Sequence, residues 1–121
     1  MLTAYDYPMA RIQEAAGIDS ILVGDSAAQV VLGYDTTLPA TMDFMVTIAA
    51  AVRRGAPGVF LIGDMPYLSF NVTREDAIRN AGRFMAEAGC DCVKLEGDAR
   101  IAEIIAGMAA AGIPVRLWPS A

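Results

Sequence analysis

Three acidic residues occupy equivalent places along the chain. Asp25, Asp64 and Glu96 each follow or end a short apolar run of the kind that forms a β-strand. The carboxyl ends of parallel strands share one edge of a sheet or barrel, so these side chains are expected to converge. Carboxylates that converge repel one another unless a divalent cation neutralises them, and Mg²⁺ prefers oxygen ligands. The pattern predicts a Mg²⁺ site. Any one of these acids, taken alone, could equally be an ordinary loop residue or a helix cap.

Lys94 stands two positions before Glu96 in the same apolar run. Alternate side chains of a strand share a face, so Lys94 and Glu96 point one way while Val93 and Leu95 point the other. Charged side chains on an inward face need a partner or a function. The pair is interpreted as part of a site, with a structural ion pair as the alternative. Ser26, directly after the first of the three acids, is a weaker candidate for binding a substrate carboxylate.

Short apolar runs alternate with helical patterns along the chain. The pair Ala16-Gly17 that precedes one run is repeated at Ala88-Gly89 and at Ala111-Gly112. Such a repeat indicates one strand–helix unit used several times. The predicted strands are residues 2–5, 20–23, 59–63, 92–95 and 114–117. The predicted helices are residues 8–16, 42–54, 74–88 and 100–111. Residues 27–40 are predicted to form one long loop, of a length that is usually functional or disordered.

Five strands joined by helices suit either a doubly wound sheet or a barrel. A dinucleotide-binding sheet needs Gly-x-Gly-x-x-Gly after its first strand, and this chain has Tyr5-Asp6-Tyr7-Pro8 there. The pattern therefore favours a barrel. A complete (β/α)8 barrel takes about 250 residues and eight strands. The predicted fold of residues 1–121 is thus α/β, an incomplete (β/α)8 TIM barrel of about five strands that forms the N-terminal part of a single domain.

The composition argues against several classes of function. A net charge of -5 repels polyanions, so nucleic acid is not an expected partner. The apolar runs are too short to cross a bilayer and the first residues lack a signal-peptide pattern, so a cytoplasmic protein that does not bind membranes is expected. Cys90 and Cys92 are the only cysteines of a chain without histidine, so they cannot complete a zinc site. They are interpreted as small buried thiols.

Six segments carry a resemblance to a known enzyme family. They are LTAYDY at 2–7, LVGDS at 22–26, VLGYDTTLP at 31–39, AVRRGAP at 51–57, DMPY at 64–67 and VKLEG at 93–97. From Leu2 to Val115 the chain resembles ketopantoate hydroxymethyltransferase, also called 3-methyl-2-oxobutanoate hydroxymethyltransferase. The resemblance implies a barrel of the phosphoenolpyruvate/pyruvate type. It also implies transfer of a hydroxymethyl group from 5,10-methylenetetrahydrofolate to 3-methyl-2-oxobutanoate, which gives 2-dehydropantoate for pantothenate biosynthesis.

The resemblance assigns roles to five residues. Asp25, Asp64 and Glu96 correspond to the magnesium site of the family. Asp25, Ser26, Asp64 and Lys94 correspond to its contacts with the keto acid. Lewis-acid help from Mg²⁺ and the positive charge of Lys94 would both stabilise an enolate oxyanion. The family's catalytic base is a glutamate in the second half of the barrel, so no catalytic residue is assigned in this chain. The expected partners are the keto acid and the folate, bound by a homo-oligomer.

Some segments depart from the family pattern. Ser26-Ala27-Ala28-Gln29 replaces the usual Ser-Leu-Gly-Met, and Arg116-Leu117-Trp118 stands where the family has Gly-His. We therefore expect a truncated family member that does not turn over the keto acid by itself. One alternative is a non-catalytic remnant that binds metal or keto acid. The other is an enzyme of the phosphoenolpyruvate mutase/isocitrate lyase type, although the Lys-Lys-Cys-Gly-His loop of its lyase members is absent here.

Overall fold

The computed structural model describes residues 1–119, so Ser120 and Ala121 of the predicted domain lie outside the described residues. The five strands are β1 (Leu2–Thr3), β2 (Ser20–Val23), β3 (Phe60–Asp64), β4 (Cys92–Gly97) and β5 (Val115–Pro119). The five α-helices are α1 (Tyr7–Ala15), α2 (Ala27–Val30), α3 (Met42–Gly55), α4 (Arg74–Ala86) and α5 (Ala102–Ala110), and a 3₁₀ turn covers Ala99–Ile101. Among the described helices, none has the length and apolar character needed to cross a membrane.

The strands follow one another across the sheet in sequence order, and every neighbouring pair is parallel. A doubly wound sheet reverses its strand order at a switch point, whereas a barrel adds each new strand on the same side. The order therefore confirms the predicted α/β fold, an incomplete (β/α)8 TIM barrel. The register sets Leu22 beside Ile62 and Ile62 beside Cys92, which brings Asp64 beside Lys94 at the next inward position.

Along the central strands, side chains point alternately to the helix-covered core and to the inner face. The strand side chains that are fully buried on the helix side are Ile21, Val23, Leu61, Val93 and Leu95. Lys94 and Glu96 alternate with the last two of these residues and therefore point to the inner face, as predicted. Apolar burial on the helix side thus determines which side chains of β4 can reach the barrel mouth.

Tight turns lead from helix to strand at the repeated Ala-Gly pairs. Gly17 has φ 85° and Gly89 has φ 70°, a left-handed conformation that glycine adopts without steric cost. At Gly17 the backbone N–H donates to the Glu14 carbonyl at 3.0 Å, which closes the end of α1. The chain can then enter β2 within a few residues, so the repeat in the sequence reflects a repeated helix-to-strand turn.

Most element boundaries lie within two residues of the predicted ones, with one clear error. The predicted loop 27–40 begins with a helical turn, α2, so the loop prediction is wrong for those four residues. The backbone N–H groups of Val30 and Val31 donate to carbonyls one turn earlier, at 2.9 Å each. Ala27 and Ala28 are fully buried. The turn is stabilised by burial of these alanines against the core, which a local sequence pattern does not reveal.

Arg53, near the end of α3, connects three parts of the fold at the opposite end of the strands from the predicted site. Its Nη2 donates to Asp91 Oδ2 at 2.7 Å, and the same carboxylate oxygen accepts the backbone N–H of Leu61 at 2.9 Å. Its Nε and Nη1 donate to four backbone carbonyls, including those of Val59 at 2.9 Å and Gly89 at 3.0 Å. The guanidinium therefore ties the end of α3 to the starts of β3 and β4.

Cys90 and Cys92 are free and buried, in agreement with their interpretation as small buried thiols. Burial raises the pKa of the Cys90 thiol to about 12. A thiol that is so rarely ionised is a weak nucleophile. Both cysteines therefore act as small apolar side chains at the start of β4.

Gly63 in β3 leaves room for the Phe84 ring of α4, and its substitution tests that packing. A Cβ at Gly63 would lie 2.5 Å from Cδ1 of Phe84, a ring that is fully buried. Gly63→Ala should lower the free energy of unfolding by about 1–3 kcal/mol, because the ring or the strand must shift. Gly82→Ala is the matched control, since nothing lies within 4 Å of its Cβ position in α4.

The control should raise the free energy of unfolding by about 0.5–1 kcal/mol, because alanine favours a helix interior over glycine. Urea unfolding of both variants and the parent measures the difference. Equal effects at the two positions would contradict the close contact between β3 and α4.

Candidate functional site

Four of the five predicted site residues line one cavity at the carboxyl ends of the strands. Asp25 follows β2, Asp64 ends β3, and Lys94 and Glu96 lie in β4. All four line a cavity of about 460 Å³. The convergence follows from the parallel order of β2, β3 and β4, which brings their ends to one edge. Ser26, the fifth predicted residue, does not line this cavity.

Asp64 is the buried acid of the site. It is only 6% exposed, and its Oδ2 accepts the backbone N–H of Asp25 at 2.9 Å. Burial raises the pKa of Asp64 from 3.8 to about 7, and the negative charge of Asp25 acts in the same direction. The hydrogen bond from Asp25 and the charge of Lys94 act in the opposite direction. The two adjoining acids thus form a carboxylate pair whose negative charge is only partly compensated.

Lys94 supplies the positive charge that faces this pair. Its Nζ lies 3.6 Å from Asp64 Oδ1, and its side chain is 13% exposed. The contact is longer than a direct charge-assisted hydrogen bond, which typically measures about 2.7–2.9 Å. On the other side, Nζ lies 5.0 Å from the centre of the Trp118 ring. An ammonium held near a carboxylate and facing a cavity can bind an anionic ligand or stabilise a developing oxyanion.

Glu96 lines the same cavity but is exposed, unlike Asp64. Within residues 1–119, no group of three acidic, histidine or cysteine side chains stands close enough together to hold a metal ion. The three predicted magnesium ligands therefore share one cavity without forming a group of three direct ligands. The close pair consists of Asp25 and Asp64, and Glu96 stands further along the wall.

Ser26 is held by a residue that sequence reasoning missed. The hydroxyl groups of Tyr5 and Ser26 lie 2.7 Å apart, which makes a hydrogen bond between the end of the first strand and the start of α2. Tyr5 belongs to one of the segments that carry the family resemblance, and it follows β1 as Asp25 follows β2. Its position at the end of a predicted strand could have identified Tyr5 as a candidate site residue.

Six further residues line the cavity, and the four apolar or aromatic ones among them are called the apolar wall. The six follow β3 or belong to the end of the long connection after α2. These residues are Thr37, Leu38, Met65, Tyr67, Phe70 and Asn71. Thr37 and Leu38 of the predicted loop 27–40 line the cavity, while the aromatic residues were not predicted. The cavity lining therefore combines charged groups with apolar side chains, a combination that suits a small organic anion.

Comparison with known proteins now identifies the family. The family model of ketopantoate hydroxymethyltransferase matches residues 1–117. This chain belongs to the ketopantoate hydroxymethyltransferase family. A relative from Geobacillus kaustophilus (strain HTA426), named 3-methyl-2-oxobutanoate hydroxymethyltransferase, is 50% identical over 115 residues. The match covers 95% of this chain and 41% of that relative, so this family member spans less than half of the relative's length.

Two solved structures share the fold at low sequence identity. Phosphonopyruvate hydrolase, in complex with oxalate and Mg²⁺, matches with a TM-score of 0.81 and 17% identity over 98% of this chain and 46% of that chain. The 2,3-dimethylmalate lyase, a phosphoenolpyruvate mutase/isocitrate lyase superfamily member, matches with a TM-score of 0.73, 17% identity and the same coverage. Such likeness establishes the fold alone. The alternative enzyme class thus shares the barrel, while the sequence match is to the transferase family.

Asp64→Asn tests whether the buried carboxylate lowers the free energy of unfolding of the metal-free protein. The folded pKa of this acid is raised, so ionised Asp64 destabilises the fold increasingly between about pH 4 and pH 7, and the full cost persists at higher pH. In EDTA at pH 8 the variant should therefore be more stable than the parent, by on the order of 1–4 kcal/mol. The gain should decline as the pH falls toward 4.

Urea unfolding at several pH values measures this difference. Asp19→Asn, at an exposed position before β2, is the control and should change stability little at any pH. A less stable Asp64→Asn variant at pH 8 would show that Lys94 and the Asp25 N–H compensate the carboxylate fully.

Proposed function

We propose that residues 1–121 form the N-terminal part of a single TIM-barrel domain and bind Mg²⁺ and 3-methyl-2-oxobutanoate. The supporting observation is that Asp25, Asp64 and Lys94 converge in one cavity of a chain that belongs to this transferase family. The proposed reaction transfers a hydroxymethyl group from 5,10-methylenetetrahydrofolate to the keto acid and gives 2-dehydropantoate. The chain spans 41% of the relative from Geobacillus kaustophilus, so the complete reaction needs residues outside this match. A cytoplasmic location is proposed as well.

The donor set fits a magnesium ion. Asp25 and Asp64 are adjoining oxygen donors, and burial together with mutual repulsion leaves Asp64 with a pKa of about 7. Mg²⁺ is often held by one or two carboxylates, with water and substrate oxygens filling the other positions. Asp25 and Asp64 would hold the ion directly, and the exposed Glu96 would contribute through a bound water. When bound, Mg²⁺ would act as a Lewis acid on the keto oxygen of the substrate.

The chain's own charged and polar residues account for substrate binding. Lys94 places an ammonium where the ketone oxygen gains negative charge as the C3 proton leaves. Ser26 lies outside the cavity lining with its hydroxyl hydrogen-bonded to Tyr5, so its contact with the substrate carboxylate stays a prediction. The base that removes the C3 proton corresponds to the glutamate in the second half of the family's barrel. In this proposal the described residues bind and polarise the keto acid, and that base generates the enolate.

The apolar wall supports a branched keto acid as the substrate. Met65 and Phe70 are buried, whereas Leu38 is exposed at the cavity edge. A branched alkyl group gains free energy when it leaves water for such a surface, at about 25 cal/mol per Å² of apolar area. The alkyl group would therefore lie against this wall while the carboxylate and ketone oxygens face the charged wall.

A homo-oligomer is the proposed state of the isolated chain. Within the described residues β1 and β5 each pair on one side only, so both carry unpaired backbone groups. Leu2 in β1 is 47% exposed and Leu117 in β5 is 46% exposed. Unpaired edges with apolar side chains favour association.

The isolated chain should bind the keto acid without activating it, and it should self-associate. Calorimetric titration with 3-methyl-2-oxobutanoate and Mg²⁺ measures binding, and NMR in D₂O follows exchange of the C3 proton. We expect binding with no exchange above the uncatalysed rate, because a positioned base is required. Size-exclusion chromatography with light scattering measures the oligomeric state. A monomer that exchanges the proton at an enzymatic rate would contradict the proposal, and Glu96 would then be the first residue to test as the base.

Lys94 is best tested in a chimera in which the remainder of the Geobacillus kaustophilus relative follows Val115. Lys94→Ala should reduce kcat/KM by about 100-fold or more, since it removes a charge that stabilises the oxyanion. Mg²⁺ affinity should change much less. Arg79→Gln, on the exposed surface of α4, removes a positive charge that does not line the cavity and is the control. Unchanged turnover with lower stability would instead identify a structural ion pair between Lys94 and Asp64.

A further inference from the structure

Trp118 contacts the site lysine from a part of the chain that the family match does not cover. The family model ends at residue 117, and Trp118 follows it in β5. The register sets Trp118 beside Glu96, with Arg116 beside Lys94. Trp118 therefore projects on the same face as Lys94, and its ring centre lies 5.0 Å from the ammonium nitrogen. Such a distance is typical of a cation–π interaction.

The lysine is weakly restrained by its other neighbours. Its ammonium lies 3.6 Å from Asp64 Oδ1. Within residues 1–119 the ammonium donates no hydrogen bond. The lysine side chain is long and flexible, so a single loose ion pair does not hold the charge in one place. Contact with Trp118 on the β5 side restrains it from the direction opposite Asp64. The two contacts together centre the ammonium at the mouth of the cavity.

A ring is better suited to this task than a second carboxylate. The ammonium has three N–H donors, and an aromatic face attracts the charge without accepting a directed hydrogen bond. The donors therefore stay free for a ligand oxygen. A carboxylate in place of the ring would accept those hydrogen bonds and would repel an anionic ligand. The indole also covers one side of the ammonium, which keeps water from it and strengthens its attraction for an anion.

We propose that Trp118 is a positioning residue that orients the Lys94 ammonium toward the oxyanion of a 2-oxo acid bound in the cavity. This inference deepens the proposed function and rests on it, since it describes how the proposed oxyanion-binding group is held. The family's Gly-His segment at this place contains no tryptophan and so no indole ring. The contact is thus a feature by which this chain differs from the family pattern.

The composition of the chain makes the contact directly measurable. Lys94 is the only lysine and Trp118 the only tryptophan among the 121 residues. Incorporation of ¹³C-labelled lysine therefore gives a single set of side-chain NMR signals in the isolated chain. The ring current of Trp118 should shift the ε-methylene protons of Lys94 upfield from their usual position. Trp118→Leu should abolish this shift, Trp118→Phe should keep part of it, and Leu117→Ala, on the opposite face of β5, should leave it unchanged.

Ligand binding tests the positioning role itself. With Mg²⁺ present, Trp118→Leu should weaken the binding of 3-methyl-2-oxobutanoate about fivefold, equivalent to about 1 kcal/mol, while Trp118→Phe binds almost as the parent does. Mg²⁺ affinity measured without the keto acid should stay the same in all three proteins. A merely structural loss would weaken both ligands together and would not be rescued by phenylalanine. Equal keto-acid affinity in Trp118→Leu and the parent would overturn the inference and leave the proposed function intact.

Failure of the proposed function gives a different pattern. If the parent chain binds no 2-oxo acid, that function is wrong, and the NMR shift still decides whether Trp118 holds Lys94. Lys94→Met allows the contact to be tested by fluorescence in a variant that retains Trp118. Removal of the cation should change the emission spectrum of the single tryptophan. Unchanged emission, together with Lys94 signals that do not respond to Trp118→Leu, would refute the contact even if that variant folds poorly.

Discussion

The buried carboxylate of Asp64 is the constraint on which the site depends. With 6% exposure it has lost most of its contact with water, so the protein must supply partners for it. One partner is the N–H of Asp25 after β2, and another is the ammonium of Lys94 in β4. Both are available because β3 lies between these strands in parallel register. The position of Asp64 itself depends on Gly63, where the absence of a side chain lets Phe84 pack against β3.

In the proposed function, the two walls of the cavity divide the recognition of the keto acid between charge and apolar contact. The charged wall comes from residues at strand ends, whose spacing is set by the hydrogen bonds of the sheet. The apolar wall comes from connections such as the segment with Tyr67 and Phe70. Family membership rests on the sequence match, whereas the likeness to the phosphoenolpyruvate mutase/isocitrate lyase group is one of fold. Shared barrels with different loops commonly host different reactions.

Local patterns predicted the elements well where one physical cause dominates. The alternation in β4 and the glycine turns before β2 and β4 follow from burial and backbone sterics, which adjacent residues reveal. The prediction failed at α2, because that turn depends on the burial of Ala27 and Ala28 against distant parts of the chain. The role of Arg53 also escaped sequence reasoning. Its partners lie in segments that come together only in the folded chain.

The sequence by itself determined the strand–helix order, the acids and the lysine at the strand ends, and the resemblance to one enzyme family. Only the tertiary structure decided which of these groups touch. Asp64 bonds to Asp25 while Glu96 stands apart, and Tyr5 and Trp118 contact predicted residues without having been predicted themselves. The physical reason is that such contacts join residues on different strands. Their distances depend on strand register, twist and side-chain packing across the sheet, and local sequence patterns carry no measure of these quantities.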